Sequence, residues 1–278
     1  VARAGTNPNG HYSLPKSHRP LADFDGDGDL DLVLSHWDTG LLILDSPEGE
    51  WTDEDTIGRI ASSGPGRIQD EVETGDLDGD GNDDLLTQTR DPETGIHSVQ
   101  VFYGPLTGER SFAEADSEIR DAEHAQVVQI DGASSAAELV AVFRQDNLPS
   151  RWSLRRFPVP EGFLSEGDGD LLVQDLPSQD HQLRSSLSSG DLNGDGQIDL
   201  LAGRRIYYGP LTEPRPAKTA DVVLEAACSR SFISSDLNFD GVADTVCGQP
   251  GFYDFESLGE ERNFRPNGAV LLYAGGRD

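Results

Sequence analysis

The sequence predicts an all-β fold, a β-propeller of five four-stranded blades, on three observations. A nine-residue acidic loop recurs about every fifty residues, short apolar runs with strand character flank each copy, and no stretch holds a helical period. Four copies of the loop align without gaps: Asp23-Phe-Asp-Gly-Asp-Gly-Asp-Leu-Asp31, Asp76-Leu-Asp-Gly-Asp-Gly-Asn-Asp-Asp84, Asp191-Leu-Asn-Gly-Asp-Gly-Gln-Ile-Asp199 and Asp236-Leu-Asn-Phe-Asp-Gly-Val-Ala-Asp244. Each reads D-x-[DN]-x-D-G-x-x-D. A fifth, decayed copy lies at 129–138, with one residue inserted and most carboxylates lost.

The copies start at 23, 76, 129, 191 and 236, a spacing that suits one propeller blade per copy. Strand-like runs precede the loops, as at Gln126-Val-Val-Gln-Ile130. Others follow them at 30–34, 85–86, 138–143, 198–202 and 245–246. A third strand per unit is read at 40–44, 98–103, 151–154, 205–208 and 268–273, and a fourth at 58–60, 117–119, 170–173 and 221–224. Two of the third strands end in Tyr-Gly-Pro-Leu, at 103–106 and 208–211. The last unit ends after its third strand, whereas Gly10-His-Tyr-Ser-Leu14 precedes the first unit as a spare strand. That stretch is expected to complete the last blade, closing residues 1–278 into one ring with no open sheet edge; the alternative is a piece of a longer ring.

Alternating Asp and Asn oxygens suit a hard cation of 6 to 8 oxygen ligands, which is calcium. Positions 1, 3, 5 and 9 supply side chains: Asp23, Asp25, Asp27 and Asp31; Asp76, Asp78, Asp80 and Asp84; Asp191, Asn193, Asp195 and Asp199; Asp236, Asn238, Asp240 and Asp244. Position 7, held by Asp29, Asn82, Gln197 and Val242, supplies a backbone carbonyl. The Gly at position 6 permits the sharp turn. Without an ion, carboxylates a few Å apart repel by several kcal/mol at intermediate dielectric. An EF-hand needs Glu at position 12, where this chain has Leu34, Thr87, Ala202 and Cys247. In the decayed copy Gln129, Asp131, Ala133 and Glu138 keep at most two acidic groups, so four ions are expected, in blades 1, 2, 4 and 5. Asp168-Gly-Asp170 reads as a turn between strands.

With these loops, and with Ser185 to Gly203 as its fullest match, the sequence resembles the FG-GAP or VCBS repeats of integrin α-subunits and their bacterial relatives. Cys247-Gly-Gln-Pro250 is similar to the end of that repeat. The resemblance implies a propeller whose calcium loops join the first and second strands of each blade; integrin-type rings usually have seven blades, so five is a departure. It also implies an extracellular or cell-surface recognition module for a protein or glycan. A calcium-dependent lectin is the alternative, and a polysaccharide lyase or dehydratase the third reading.

The charge narrows the partners. With 51 acidic and 21 basic residues the formal net charge is -30, which offers no basic stripe for nucleic acid and repels an anionic membrane. Four calcium ions would bring +8; a solvated surface, a saline setting or a cationic partner accounts for the rest. No apolar run is long enough to span a membrane, and Val-Ala-Arg-Ala-Gly opens without a signal-peptide core. The chain has no Met, so a processed secreted protein or an excised domain is expected, acting as a monomer. Cys228 and Cys247 read equally as a single bridge or as two buried thiols. The six His form no metal-spaced pair, and the serines lack a nucleophile-elbow context, so no catalytic constellation emerges. Trp37, Trp51 and Trp152 read as packing residues that could also stack on sugars.

Overall fold

The computed structural model describes residues 3–4, 20–36, 40–46, 50–51, 55–61, 68–91, 93–129, 137–145, 151–177, 187–224, 230–234, 236–249 and 269–276. Among these the chain is all-β, with five multi-stranded sheets and one short parallel pair. Each sheet corresponds to one predicted unit. The first holds Leu21–Ala22, Asp31–His36, Gly40–Leu44 and Thr56–Ala61, antiparallel in chain order. The second holds Ile68–Gly75, Asp84–Arg90, His97–Phe102 and Ser117–Arg120 in the same arrangement. Ala122–Val128 and Glu138–Arg144 open the third, which continues with Arg151–Phe157 and Asp170–Pro177. The fourth comprises Leu187–Gly190, Asp199–Ala202, Arg205–Tyr207 and Val222–Val223, and the fifth Arg230–Ser234, Asp244–Gln249 and Ala269–Tyr273. The predicted second, third and fourth strands all fall on these elements. Gly10–Leu14 lies outside the described residues.

Three sheets gain an outer strand that the sequence reading missed. Gly108–Ser111, which follows the third strand of the second sheet, pairs in parallel with Thr56–Ala61 of the first, from Gly108↔Gly58 to Ser111↔Ala61. Gly162–Leu164 pairs likewise with Ser117–Arg120, and Arg215–Pro216 with Asp170–Pro177. The second, third and fourth sheets therefore each lend a short strand to the outer edge of the sheet before, covering hydrogen-bonding groups that would otherwise invite aggregation. Arg3–Ala4 and Glu50–Trp51 form a fourth parallel pair.

Two of the three lent strands are held by a second repeat that extends the Tyr-Gly-Pro-Leu match. Residues 103–116 and 208–221 share Y-G-P-L-T-x-x-R-x-x-x-x-A-D. Arg110 binds the Asp116 carboxylate at 2.9 Å and lies over the Phe102 ring, and Arg215 binds Asp221 at 2.7 Å over Tyr207. The same two carboxylates accept the backbone N–H of Tyr103 and Tyr208. Leu106 and Leu211 of these repeats are buried.

The chain divides into two compact units, 1–128 with 135–144 and 154–171, and 129–134 with 145–153 and 172–278. In the first unit one core joins Phe24, Val33, Leu41, Ile43 and Ile60 with Val72, Leu85, Phe102, Leu106 and Phe112, so it sits between the first and second sheets. A second core packs Leu77, Leu86, Val99 and Ile119 against Ala125, Leu139, Ala141 and Phe143. In the second unit Leu192, Leu201, Ile206, Leu224 and Cys247 form the core between the fourth and fifth sheets. Inner strands are buried on both faces: along Gly40–Leu44 every residue is buried, with Leu41 and Ile43 in the first core and Leu42 and Leu44 in a separate cluster with Leu34. Cys247 is fully buried and disulfide-bonded; Cys228, the only other cysteine in the sequence, lies outside the described residues.

At Gly209 the backbone runs so close to the second strand that a Cβ would press into the Ile198 carbonyl oxygen. Gly209→Ala is expected to cost about 1–3 kcal/mol by overpacking. At Gly167 an added Cβ would meet nothing nearer than Ser165 Oγ at 4.0 Å, so Gly167→Ala is expected to cost less than about 0.5 kcal/mol. Urea unfolding of the two variants measures both.

Candidate metal centres

Each acidic loop joins the first and second strands of its sheet and is ordered by its own carboxylates. The position-1 Asp accepts two backbone N–H groups across the turn: Asp23 from Gly26 and Gly28, Asp76 from Gly79 and Gly81, Asp191 from Gly194 and Gly196, at 2.7–3.2 Å. In the last loop Asp236 accepts from Asp240 and Gly241. Position 3 accepts from position 5, as Asp25 does from Asp27, Asp78 from Asp80, Asn193 from Asp195 and Asn238 from Asp240. Position 5 accepts in turn from the N–H of position 7, from Asp29, Asn82, Gln197 and Val242. Such nested turns require left-handed backbone at two places. Position 6 is always Gly, with φ of 83–94°. Position 4 is Gly26, Gly79 and Gly194 but Phe239 in the last loop, which holds φ 63° with its side chain 91% exposed. The sequence reading had named only position 6.

The position-9 aspartates behave differently. Asp31, Asp84, Asp199 and Asp244 are all buried. One oxygen of each accepts the N–H of position 2, Phe24, Leu77, Leu192 or Leu237, at 2.7–2.9 Å. The other accepts an N–H from just beyond the third strand: Ser46 at 3.3 Å, Gly104 at 2.8 Å, Gly209 at 2.9 Å and Gly275 at 3.0 Å. This carboxylate therefore ties the loop to the third strand, besides facing the other acids. Burial pushes the Asp84 carboxyl up to about 6 against its two N–H bonds, and Asp78 and Asp76 add to the rise. Asp31 and Asp199 are raised for the same first reason.

Oxygens of Asp23, Asp25 and Asp31 lie within 4.8 Å of one another, as do those of Asp76, Asp78 and Asp84. Positions 1, 3 and 9 thus converge in the first two loops, while Asp27 and Asp80 at position 5 stand outside that convergence. In the fourth and fifth loops position 3 is Asn193 or Asn238, so the equivalent positions carry two carboxylates each. A carboxylate oxygen has two lone pairs, so one N–H bond leaves capacity for a cation. Three crowded acids, one of them buried and driven toward its neutral form, fit a hard divalent ion with oxygen ligands.

The decayed third loop offers another arrangement. Asp131 and Ala133 lie outside the described residues; Glu138, at the end of the loop, is buried and faces Arg156 at 3.6 Å. Asp168 closes a capping box with Ser165 in a single turn, as its reading as a turn anticipates.

Residues 23–87 match the model of the FG-GAP-like repeat. The matched segment runs from the first loop to the second strand of the second sheet and contains both converging acidic sets. The crystal structure of the exotype rhamnogalacturonan lyase YesX is similar over 87% of this chain and 46% of its own, at 14% identity and a TM-score of 0.49. The chain thus spans less than half the length of that protein. No curated protein sequence matches the chain. No helix among the described residues is long and apolar enough to cross a membrane.

The two carboxylate roles in the second loop separate experimentally. Asp84→Ala leaves the N–H groups of Leu77 and Gly104 without their acceptor, so it is expected to destabilise the chelated protein by about 3 kcal/mol. Asp80→Ala, on the exposed side of the same loop, is expected to change the chelated protein by less than about 0.5 kcal/mol while weakening its response to calcium. Melting curves with and without chelator distinguish the two.

Proposed function

We propose that the chain is a calcium-stabilised extracellular β-propeller, a single ring of five blades that serves as a recognition module for a protein or glycan. The observation that carries the calcium reading is the convergence of Asp23, Asp25 and Asp31, and of Asp76, Asp78 and Asp84, at the same three positions of two loops. Four ions are assigned, to the first, second, fourth and fifth loops, with Asp29, Asn82, Gln197 and Val242 contributing backbone carbonyls. The first two bind more tightly, because affinity follows the number of charged ligands. The disulfide at Cys247 agrees with an oxidising, extracellular setting.

The segments between third and fourth strands follow a rule of pairing. In the second, third and fourth units that segment pairs in parallel with the outer strand of the preceding sheet. In the first unit the corresponding segment, Glu50–Trp51, also makes a parallel pair, with Arg3–Ala4. The last sheet has three strands among the described residues, and Gly10–Leu14, the strand proposed to complete it, lies outside them.

Each site filled at a hundred times its Kd adds about 2.7 kcal/mol, so chelation is expected to lower Tm by roughly 10 °C or more. Calorimetric titration should resolve two classes of sites, with Asp25→Asn converting a tight site to a weak one. An unchanged melting curve overturns the calcium reading. Deleting residues 10–14 is expected to speed amide exchange in Ala269–Tyr273; exchange unchanged there means the ring is not closed by this strand. A glycan array with calcium present separates a sugar ligand from a protein one.

A further inference from the structure

A cavity of about 370 Å³ in the second compact unit reverses the charge of the chain around it. Among the described residues Arg151, Arg205 and Lys218 line it with Asp175, three cations to one anion, in a protein whose acids outnumber its bases 51 to 21. Three elements supply them: Arg151 opens one third strand, Arg205 opens the next, and Lys218 sits in the turn Ala217–Thr219 that follows the lent strand Arg215–Pro216. The parallel pairing of Val173 with Arg215 and of Gln174 with Pro216 holds two of these walls together. None of these residues belongs to an acidic loop.

The guanidinium groups are placed by backbone carbonyls. Arg151 Nη1 donates to the Asp175 carbonyl at 2.8 Å, and Arg205 Nη1 to the Ala217 carbonyl at 3.2 Å. Asp175 holds a left-handed backbone at φ 62°, an unusual state for a residue with a side chain, and strain of this kind clusters at ligand sites. Pro216 and Ala217 add apolar wall. The volume lies at the small end of ligand pockets, which run from about 300 to 1,000 Å³, and Arg presents a planar fork of donors matched to carboxylate and phosphate.

We propose that this pocket binds a ligand of monosaccharide size or smaller that carries a carboxylate or phosphate oxyanion. The inference names a ligand chemistry for the recognition reading above and rests on it, although it is independent of the ion sites. The test titrates the calcium-loaded protein with glucuronate, glucose 6-phosphate, inorganic phosphate and glucose, followed by calorimetry and by the amide resonances of Arg151 and Lys218. At least one anion is expected to saturate and to move those resonances, with glucose inert. Response to glucuronate marks a sugar acid, and response to phosphate alone a free oxyanion. The exposed substitutions Arg151→Gln and Lys218→Ala are each expected to weaken binding at least tenfold with Tm nearly unchanged. No saturation by any anion, equal binding of glucose, or binding indifferent to both substitutions overturns the proposal. Array binding to neutral glycans with no anion response removes the pocket and leaves the recognition reading standing.

Discussion

The buried aspartate at position 9 is the constraint on which the repeat depends. A carboxylate taken out of water is costly unless its oxygens are satisfied, and here two backbone N–H groups satisfy them. One comes from the residue after the loop's first Asp, the other from just past the third strand. A single side chain thereby fixes where the loop begins and where the third strand ends. The price is close packing of backbone around it. Gly104, Gly209 and Gly275 all lie where a Cβ would meet the acidic loop of the same sheet, whereas the first sheet places Ser46 there, with the longest of the four bonds.

From that anchor, order passes from one sheet to the next through backbone contacts. The N–H of Asp83, at position 8 of the second loop, donates to the carbonyl of Asp23, at position 1 of the first. Ala137 donates in the same way to Asp76, and Ala243 to Asp191. Leu106 donates to the carbonyl of Phe24, and Gly276 to that of Leu192. In the first and fourth loops position 2, Phe24 or Leu192, is thus held twice, by its N–H on the buried carboxylate and by its carbonyl on the following unit. Adjacent repeats are coupled as nearest neighbours, the arrangement that lets a chain of units share stability. Hydrophobic burial supplies the drive, and these bonds set the register.

What was legible in the sequence was whatever carried a short apolar run or repeated acids. Gly40–Leu44 and Glu138–Arg144 are apolar runs, and they fall where periodicity places them. The lent strands were illegible for a physical reason: Gly108–Ser111 and Arg215–Pro216 are short, polar and only half-buried, so they leave no pattern of burial. Their signal was instead the conserved spacing from Tyr-Gly-Pro-Leu to an Arg and then an Asp within this chain, which becomes intelligible once Arg110 and Arg215 are seen to clamp those carboxylates. The acidic loops show the same limit. Ligand spacing revealed which residues gather, but the difference between position 5, exposed, and position 9, buried and shared with the third strand, depends on a partner twenty residues away in the case of Gly104 and Asp84.

The third loop shows that the two tasks of the motif are separable. It has lost most of its acids, yet Ala137 still donates to Asp76, and the adjoining strands Ala122–Val128 and Glu138–Arg144 keep full antiparallel register apart from one bulge. At the end of that loop the acid is Glu138, and its counter-charge is Arg156 from the third strand of its own sheet. A cationic side chain thus stands beside the terminal acid of this loop, where the other loops gather further carboxylates. Charge neutralisation is the shared requirement, because a buried acid without a cation or hydrogen-bond donors is unstable whatever the fold. The acids at positions 1 and 5, replaced here by Gln129 and Ala133, are therefore dispensable to the sheet, while the backbone bond to the preceding loop and a neutralised acid at the end of the loop are what the architecture keeps.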